Sequence, residues 1–220
     1  MKKYLGISGL LAAWLVAFPV AAAEVSPETL VDNTAQEVLS IVRQDKELRA
    51  GNTAKILDLV EAKVLPHFNF TRMTRLAMGK NWNKATPQQQ EELVKEFRTL
   101  LVRTYSNALS TYSDYKINVE PPRSRAEDAD TTVKTKVMKD SGQPVDIDYS
   151  MEKTGDGWKV YDVTVAGVSL VTNYRSTFNS QIREGGVEKL LKTLGDKNRA
   201  LAANDKKAAG NLKTVANSSR

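Results

Sequence analysis

The chain has 220 residues, with 32 Lys or Arg, 26 Asp or Glu, one histidine and no cysteine. This composition excludes thiol nucleophiles, iron–sulfur clusters, cysteine-type zinc sites and multi-histidine zinc sites. Much of the formal net charge of +6 lies at the two ends, because two lysines open the chain and residues 195–220 hold six basic and two acidic residues. The middle of the chain is therefore close to neutral, which argues against a nucleic-acid-binding protein.

The first 23 residues have the pattern of a cleavable export signal. The two initial lysines precede an apolar stretch from Leu5 to Val20, which is too short and too broken to span a bilayer well. Ala21–Ala23 then offers a small-residue cleavage site, and no stop-transfer charge cluster follows it. We predict a signal peptide at residues 1–23 and an exported mature chain that begins at Glu24, rather than an uncleaved membrane anchor.

The N-terminal half has helical patterns with recognisable start signals. Ser26 is a predicted N-cap, and Pro27 at the first helical position opens a helix whose apolar stripe reaches Leu48. A second helix is predicted over Thr53–Val64 and ends before Pro66.

The longest predicted helix begins at a capping box, Thr86-Pro87-Gln88-Gln89, and extends to about Tyr112. Its apolar residues recur at spacings of three and four, as expected for a helix with one buried face. They are Leu93, Phe97, Leu100, Leu101, Tyr105, Ala108 and Tyr112.

The period then changes from about 3.6 to 2, which indicates strands. The clearest strand is VDIDYSME, residues 145–152, in which apolar and polar side chains alternate as in an antiparallel sheet covered on one side. A last helical stripe runs from Val171 to Leu194 and is interrupted at Gly185-Gly186.

This order of elements predicts an α+β fold with a curved antiparallel sheet of about four strands and helices packed on one face. The arrangement is similar to NTF2-like folds, in which sheet and helices form a cone with an apolar pocket. We predict one domain over residues 24–195 and a mobile basic tail over residues 196–220, rich in Ala, Asn, Lys and Ser.

Catalytic motifs are scarce. His67 follows Pro66 without an accompanying nucleophile motif, so we interpret it as a structural residue at a helix end. The sequence has no Gly-rich phosphate loop, no HExxH motif and no EF-hand pattern.

An enzyme of the cone-shaped type would place a carboxylate and a tyrosine in the pocket, and Asp162 with Tyr161 or Tyr105 are the candidates. Asp162 has no partner acid, however, and the alternation of the strand places Asp146 and Asp148 on its outer face. We therefore predict that the protein is not an enzyme.

Apolar and tyrosine side chains converge on one face of the predicted sheet. Periodicity alone favours an ordinary filled core here, but a pocket would show the same pattern. The residues concerned are Phe97, Leu101, Tyr105, Val137, Ile147, Tyr149, Trp158, Val163, Tyr174 and Phe178.

Four segments carry a family resemblance: PHFNF at residues 66–70, GKNW at 79–82, EFRTLLVRTYSNAL at 96–109 and VYDVTVAGVSLVTNYR at 160–175. Together they resemble the MlaC family of periplasmic phospholipid-carrying proteins, also called the toluene-tolerance auxiliary family. The resemblance covers nearly everything between Pro27 and Leu194.

The resemblance implies a hollow cone that takes the acyl chains of a phospholipid and leaves the headgroup near the mouth in water. It implies a periplasmic monomer that shuttles phospholipid between the outer and inner membranes, maintains outer-membrane lipid asymmetry and uses no cofactor. The implied partners are an outer-membrane lipoprotein associated with a porin and an inner-membrane ABC transporter with an MCE-domain ring. Candidate docking contacts are Arg72, Arg75, Arg123 and Arg125, which are also typical of a merely solvated face.

The resemblance also nominates lipid-contact residues. Those near the entrance are Val165, Val168, Leu170, Val171 and Tyr174, with Gly167 at a tight bend; those deeper inside are Phe97, Leu101, Tyr105, Val137, Ile147, Tyr149, Trp158, Val163 and Phe178. The alternative function is a periplasmic adaptor or chaperone whose apolar groove binds protein segments, followed by a small NTF2-like enzyme with a pocket.

Overall fold

The computed structural model describes residues 25–111, 114–122, 128–139 and 142–218, with side chains described as far as residue 207. The predicted signal peptide lies outside these residues. The helices are α1 (Pro27–Gln44), α2 (Lys46–Arg49), α3 (Thr53–Lys63), α4 (Phe70–Met78), α5 (Pro87–Tyr105), α6 (Ala108–Thr111) and α7 (Leu170–Ser218). The strands are β1 (Lys116–Val119), β2 (Asp130–Met138), β3 (Val145–Thr154), β4 (Gly157–Val165) and β5 (Val168–Ser169).

The five strands form one sheet in the order β1-β2-β3-β4-β5, and every neighbouring pair is antiparallel. A register shift between Ser150 and Met151 makes a bulge against β4, which increases the local twist and curls the sheet. The predicted α+β class is confirmed. The fifth strand, beyond the four or so predicted, is the two-residue β5, which is too short to give an alternation signal.

The capping predictions are confirmed. Ser26 accepts a hydrogen bond from the Thr29 backbone N–H at 3.1 Å, and Pro27 opens α1. At α5, the Thr86 N–H donates to Gln89 Oε1 at 2.9 Å and the Gln89 N–H donates to Thr86 Oγ1 at 3.2 Å. These local bonds satisfy backbone donors that have no partner within the helix, which is why short sequence signals located both starts.

Two predicted helix ends are wrong for local reasons. The first helix divides at Asp45, whose carboxylate accepts from the backbone N–H groups of Glu47 and Leu48 and so starts α2. The long helix α5 ends at Tyr105 rather than near residue 112. Just beyond that end, the Ser106 hydroxyl donates to the Val102 carbonyl, a side-chain bond of the kind that competes with helical pairing.

Helix α4 was not predicted as a separate element. Asn69 is its N-cap and accepts from the Arg72 N–H at 2.9 Å, while Gly79, at φ 53°, ends it. Its buried residues include Met73 and Ala77, four positions apart. The N-cap residue, the four-residue spacing of the buried side chains and the final glycine are therefore sequence signals from which this helix could be predicted.

The buried apolar side chains form three clusters. The helical cluster joins α4, α5 and α7; the N-terminal cluster joins α1, α2 and α3; the sheet cluster joins α1 to β2, β3 and β4. Representative members are Met73, Leu93, Phe97, Phe178 and Leu190 in the first, Val42 and Ile56 in the second, and Val31, Val133, Met151, Trp158 and Val160 in the third. Phe68, which is partly buried, packs against both the helical cluster and the sheet cluster.

The C-terminal segment differs from the prediction. The break at Gly185 and Gly186 is confirmed by non-helical backbone angles, but the helix then continues past Leu194 to Ser218. The last helix, which was predicted to end at Leu194, is therefore longer than predicted. The alanine-rich composition of this segment favours helix even though the segment has no apolar period.

Long-range contacts hold the first part of this extension against α5. The buried Asn198 donates through its amide to the Glu96 backbone carbonyl at 2.9 Å, and Asp205 forms an ion pair with Arg103. Both contacts join residues about a hundred positions apart in sequence. The mobility of the tail and the domain boundary at residue 195 stay predictions.

Candidate functional site

The candidate site starts from one half of the apolar face of the sheet. The register places Ile147 opposite Val165, and Tyr149 opposite Val163, so these four side chains lie together on adjacent strands β3 and β4. Ile147, Tyr149 and Val163 are only partly buried, and Val165 is 37% exposed. No element of the described chain fully covers this half of the face.

The other half of the same face is closed. Met151 and Val160 pair across β3 and β4, and both are buried in the sheet cluster. They pack there with Val31 of α1 and Trp158. One amphipathic sheet thus has a packed end beneath α1 and a less covered end that we call the apolar opening, formed by Ile147, Tyr149, Val163, Val165 and Val168. Tyr149 and Val163 also pack against the sheet cluster, whereas Val165 and Val168 are exposed.

The rim of the apolar opening is the β4–β5 hairpin. Val165 pairs with Val168 across a two-residue turn, and the turn residues Ala166 and Gly167 have φ angles of 48° and 82°. Two positive φ angles define a type I′ turn, whose twist suits antiparallel strands and whose second position favours glycine. The tight bend predicted at Gly167 is confirmed, and it leaves Val168 58% exposed.

A carboxylate fixes the start of α7 beside this rim. Asp162 accepts hydrogen bonds from the Ser169 hydroxyl and from the Val171 backbone N–H, the latter at 3.1 Å. Ser169 in turn accepts from the Thr172 N–H at 3.0 Å, as an N-cap does. The best carboxylate candidate for an enzyme is therefore engaged in holding the helix and the hairpin together.

The outer face of the sheet carries the other acids considered for catalysis. Asp146 lies 3.1 Å from Lys136 and Asp148 lies 3.8 Å from Lys134, both on the neighbouring strand β2. These are ordinary cross-strand ion pairs at a solvated surface. Among the described residues, no group of three or more His, Asp or Glu side chains is arranged to hold a metal ion.

An aromatic group joins α5 to α7 in the helical cluster. The Phe97 ring centroid lies 5.0 Å from those of Tyr174 and Phe178, in edge-to-face geometry. Burial raises the pKa of Tyr174 to about 12, and its hydrogen bond with Tyr105 acts in the same direction. Tyr105 itself is 41% exposed, so this tyrosine pair lies between the packed helical cluster and water.

The structure divides the predicted lipid-contact residues into three groups. Buried in core clusters or under the sheet are Phe97, Leu101, Val137, Trp158, Val171 and Phe178; partly buried are Ile147, Tyr149, Val163, Leu170 and Tyr174; exposed are Tyr105, Val165 and Val168. The second and third groups come from β3, β4, the hairpin, the start of α7 and the end of α5. Contact of any of them with a ligand stays a prediction.

Trp158, which was predicted to lie deeper inside, is at the packed end of its strand, away from the opening. It is seven residues from Val165 along β4, which corresponds to about 23 Å in an extended strand. It is 7% exposed and packs with Val31 of α1. The alternation of the strand identified its face correctly but not which end of that face is open.

Thr135 was missed as a member of the wall. It lies on β2 between Val133 and Val137, is 1% exposed, and its hydroxyl donates to the Ile147 carbonyl at 2.8 Å. Burial raises the pKa of the neighbouring Tyr149, while a hydrogen bond with Thr135 acts in the opposite direction. The period of two would have placed this threonine inward with its apolar neighbours.

The remaining candidates have simpler outcomes. His67 is half-buried at the end of a 3-10 helix, Leu65–His67, and burial lowers its pKa. Arg72 forms ion pairs with Glu152 and Asp130. Arg75 is exposed, and Arg123 and Arg125 lie outside the described residues.

Within the described part of the chain, no helix is both long and apolar enough to cross a bilayer.

Comparison with known proteins gives consistent results. The model of the family described as MlaC protein matches residues 32–196. The toluene tolerance protein ttg2D of Pseudomonas putida is 30% identical over 175 residues, which cover 78% of this chain and 80% of that protein. The intermembrane phospholipid transport system binding protein MlaC of Haemophilus influenzae is 24% identical over 195 residues, which cover 87% and 91%.

A solved structure has the same architecture. The phospholipid-binding protein from Ralstonia solanacearum, determined in complex with a phospholipid, has a TM-score of 0.75 at 37% sequence identity. The match covers 82% of this chain and 99% of the other. With the family model matched across most of the folded region, the chain belongs to the MlaC family.

Proposed function

We propose that this protein is a periplasmic carrier that binds a phospholipid by its acyl chains and moves it between the outer and inner membranes, so maintaining outer-membrane lipid asymmetry. The observation that carries the proposal is the apolar opening, which is left uncovered beside three separate core clusters. The relative from Ralstonia solanacearum was determined in complex with a phospholipid, which supports a ligand of the same class here.

Exposed apolar side chains favour an apolar ligand. Each Å² of apolar surface removed from water contributes about 25 cal/mol, so covering Val165, Val168 and Tyr105 with acyl chains is favourable. Contiguous exposed apolar patches on soluble proteins commonly mark binding sites. The apolar opening meets this description, whereas the packed end of the same sheet does not.

The energetics of transport explain why a carrier is needed. Each buried methylene contributes about 0.8 kcal/mol, so two acyl chains with about thirty methylenes resist leaving a bilayer by on the order of 20 kcal/mol. A carrier must offset most of this free energy without exceeding it, or it could not release its cargo. Apolar walls with few fixed polar groups satisfy that condition.

The proposed partners follow from family membership. We propose exchange of phospholipid with an outer-membrane lipoprotein–porin complex and with an inner-membrane ABC transporter that carries an MCE-domain ring, by a protein that acts as a monomer. The relative from Haemophilus is named as part of an intermembrane transport system, which supports this placement. The proposal involves no catalytic step and no cofactor.

The direct test is to identify what the protein carries. The mature chain, from residue 24, would be expressed in a Gram-negative periplasm, purified without detergent and measured by native mass spectrometry, followed by solvent extraction. Stoichiometric glycerophospholipid is expected. A protein that stays empty after exposure to liposomes would overturn the proposal, and co-purified peptide would favour the adaptor alternative.

A matched pair of variants locates the cargo. Val168→Glu places a carboxylate at the rim, where an acyl chain would have to desolvate it, so lipid retention should be lost with an unchanged circular dichroism spectrum. Val25→Glu is the control, because Val25 is similarly exposed, at 51%, but precedes α1. Full retention by Val168→Glu would contradict the assignment of the apolar opening.

A further inference from the structure

A cavity lies beside α4 and shares no residue with the predicted lipid-contact set. Its volume is about 640 Å³. Its principal lining residues are Arg72, Arg75, Lys80, Trp82, Glu152 and Arg175. Four of these are cationic and one is anionic, so the cavity is strongly basic although the middle of the chain is nearly neutral.

The sequence concentrates this charge. Between Glu61 and Glu91 there is no acidic residue, while Lys63, Arg72, Arg75, Lys80 and Lys84 all fall there. Solvated helical faces usually mix charges of both signs, whereas like charges in a concave site focus the electrostatic potential there. The folded protein directs three of these five cations into one cavity.

Arg72 forms a neutralised wall of the cavity. Its Nη1 atom lies 2.7 Å from Glu152 Oε2 and 2.7 Å from Asp130 Oδ1, and its guanidinium lies 3.6 Å from the Tyr161 ring centroid. Two carboxylates and a ring thus hold this arginine in place. It fixes the shape of the cavity, and its charge is already compensated.

Arg175 is held differently. Its Nε donates to the Leu76 backbone carbonyl at 2.9 Å, near the end of α4, where carbonyls lack helical partners. This bond orients the half-buried guanidinium without neutralising it. Among the residues that the structure describes, no carboxylate pairs with the terminal amino groups of Arg175, so these groups can bind a ligand that lies in the cavity.

Arg75 and Lys80 complete the set of uncompensated cations. Both are exposed, and Gly79 ends α4 between them with a φ of 53°. Within the ranges that the structure describes, Arg75, Lys80 and Arg175 have no carboxylate partner. Guanidinium groups match the spacing of phosphate oxygens and bind them in bidentate fashion, and a lysine adds a point charge.

We propose that this cavity is an anion site that takes a phosphate ester. Arg75 and Arg175 bind the phosphate oxygens, Lys80 adds charge, and the half-buried Trp82 forms an apolar wall for the organic part of the ester. The volume exceeds that of a lone phosphate and accommodates a glycerol-sized substituent. The site goes beyond the carrier function and does not depend on it, because its lining residues lie outside the predicted lipid-contact set.

Binding to the mature chain would be measured by calorimetry and by tryptophan fluorescence, with glycerol 3-phosphate and inorganic phosphate at constant ionic strength. After removal of the predicted signal peptide the tryptophans are Trp82, in the cavity, and Trp158, which is buried. Saturable binding of glycerol 3-phosphate and a change in fluorescence are expected. Absence of saturable binding of both ligands would overturn the proposal.

Two double variants of equal charge separate a site from a general field. Arg75→Gln with Lys80→Gln should weaken ester binding at least tenfold. Lys46→Gln with Arg49→Gln removes the same charge from the exposed α2 and should leave the affinity within a factor of two. All four side chains are exposed, so folding is preserved. Equal losses in both double variants would overturn the proposal.

Co-sedimentation distinguishes the source of the ester. A preference for phosphatidylcholine vesicles that contain phosphatidylglycerol, lost in the Arg75/Lys80 variant, would identify a lipid headgroup; soluble binding without that preference would identify a free ester. Polyglutamate that binds while both phosphate ligands fail would overturn the proposal in favour of an acidic protein segment. Val168→Glu should lose lipid but keep ester binding, so the two functions fail separately.

Discussion

The helical cluster and the apolar opening are built from similar side chains but have opposite relations to water. Phe97 and Phe178, where α5 meets α7, are 0% and 1% exposed, whereas Val165 and Val168 at the hairpin are 37% and 58% exposed. This difference in exposure does not come from the hydrophobicity of the side chains, because valines at the packed end of the sheet are buried. It depends on whether another helix or strand packs over the residue.

The two regions are also held by different forces. The helical cluster is stabilised by burial and by edge-to-face aromatic contacts. The hairpin is held by its type I′ turn and by the hydrogen bonds of Asp162 to Ser169 and the start of α7. The turn and these hydrogen bonds therefore hold the hairpin in place while its apolar side chains stay in water. Hydrophobic packing alone would favour burying those side chains.

The largest effect should come from removing a ring of the helical cluster. Phe97→Ala deletes a fully buried ring and should lower the free energy of unfolding by about 3–5 kcal/mol. Val165→Ala should cost less than about 1 kcal/mol, because its side chain is already partly in water, yet it should weaken lipid retention. Urea denaturation followed by circular dichroism measures the free energy of unfolding of both variants. Equal losses of this free energy would show that Val165 belongs to the core.

The second-largest effect concerns the hydrogen bonds of Asp162 to Ser169 and Val171, which we call the polar clamp. Asp162→Ala removes the acceptor for the Ser169 hydroxyl and the Val171 N–H, and should cost about 1–3 kcal/mol. Asp146→Ala is the matched control, because that carboxylate only pairs with exposed Lys136, a contact that contributes about 0–1 kcal/mol. Thermal and urea unfolding would compare them. A loss no greater than that of the control would contradict the clamp.

Elements with local signals could be predicted from the sequence. The starts of α1 and α5 depend on bonds within four residues, and the alternation of β3 reflects its two faces. The extension of α7 could not be predicted from its apolar period, because Asn198 and Asp205 bind α5 about a hundred residues away. Helix α4 had local signals that were not used.

The site was predictable by face but not by position along the face. Alternation placed Ile147, Tyr149 and Trp158 inward together, yet only the end of the sheet away from α1 is open. Which end is covered depends on the packing of α1, a tertiary contact that strand periodicity does not contain. The basic cavity was invisible for the same reason, because α4, β3 and α7 bring its residues together.

A smaller effect tests the turn at the rim. Gly167 has a φ of 82°, so Gly167→Ala should cost about 1 kcal/mol through backbone strain. Gly155→Ala, in the neighbouring β3–β4 turn, has open space and no positive φ, and should change stability by less than about 0.5 kcal/mol. Melting temperatures would compare them. An unchanged melting temperature in Gly167→Ala would mean that the hairpin backbone can relax and that the rim is not rigid.

The smallest effect appears only at alkaline pH and tests the boundary between the two regions. Burial raises the pKa of Tyr174 to about 12 in the folded protein, whereas an unfolded tyrosine ionises near 10. The stabilisation linked to this group is therefore complete below pH 10 and is lost as the pH rises toward 12. Tyr174→Phe should flatten that part of the stability profile and remove the step near pH 12 that this residue contributes to a tyrosinate absorbance titration. Tyr105→Phe should move the step to lower pH while leaving it above 10, because Tyr105 also raises the pKa of Tyr174 but burial remains. An unchanged step in Tyr105→Phe would mean that burial alone sets the pKa of Tyr174.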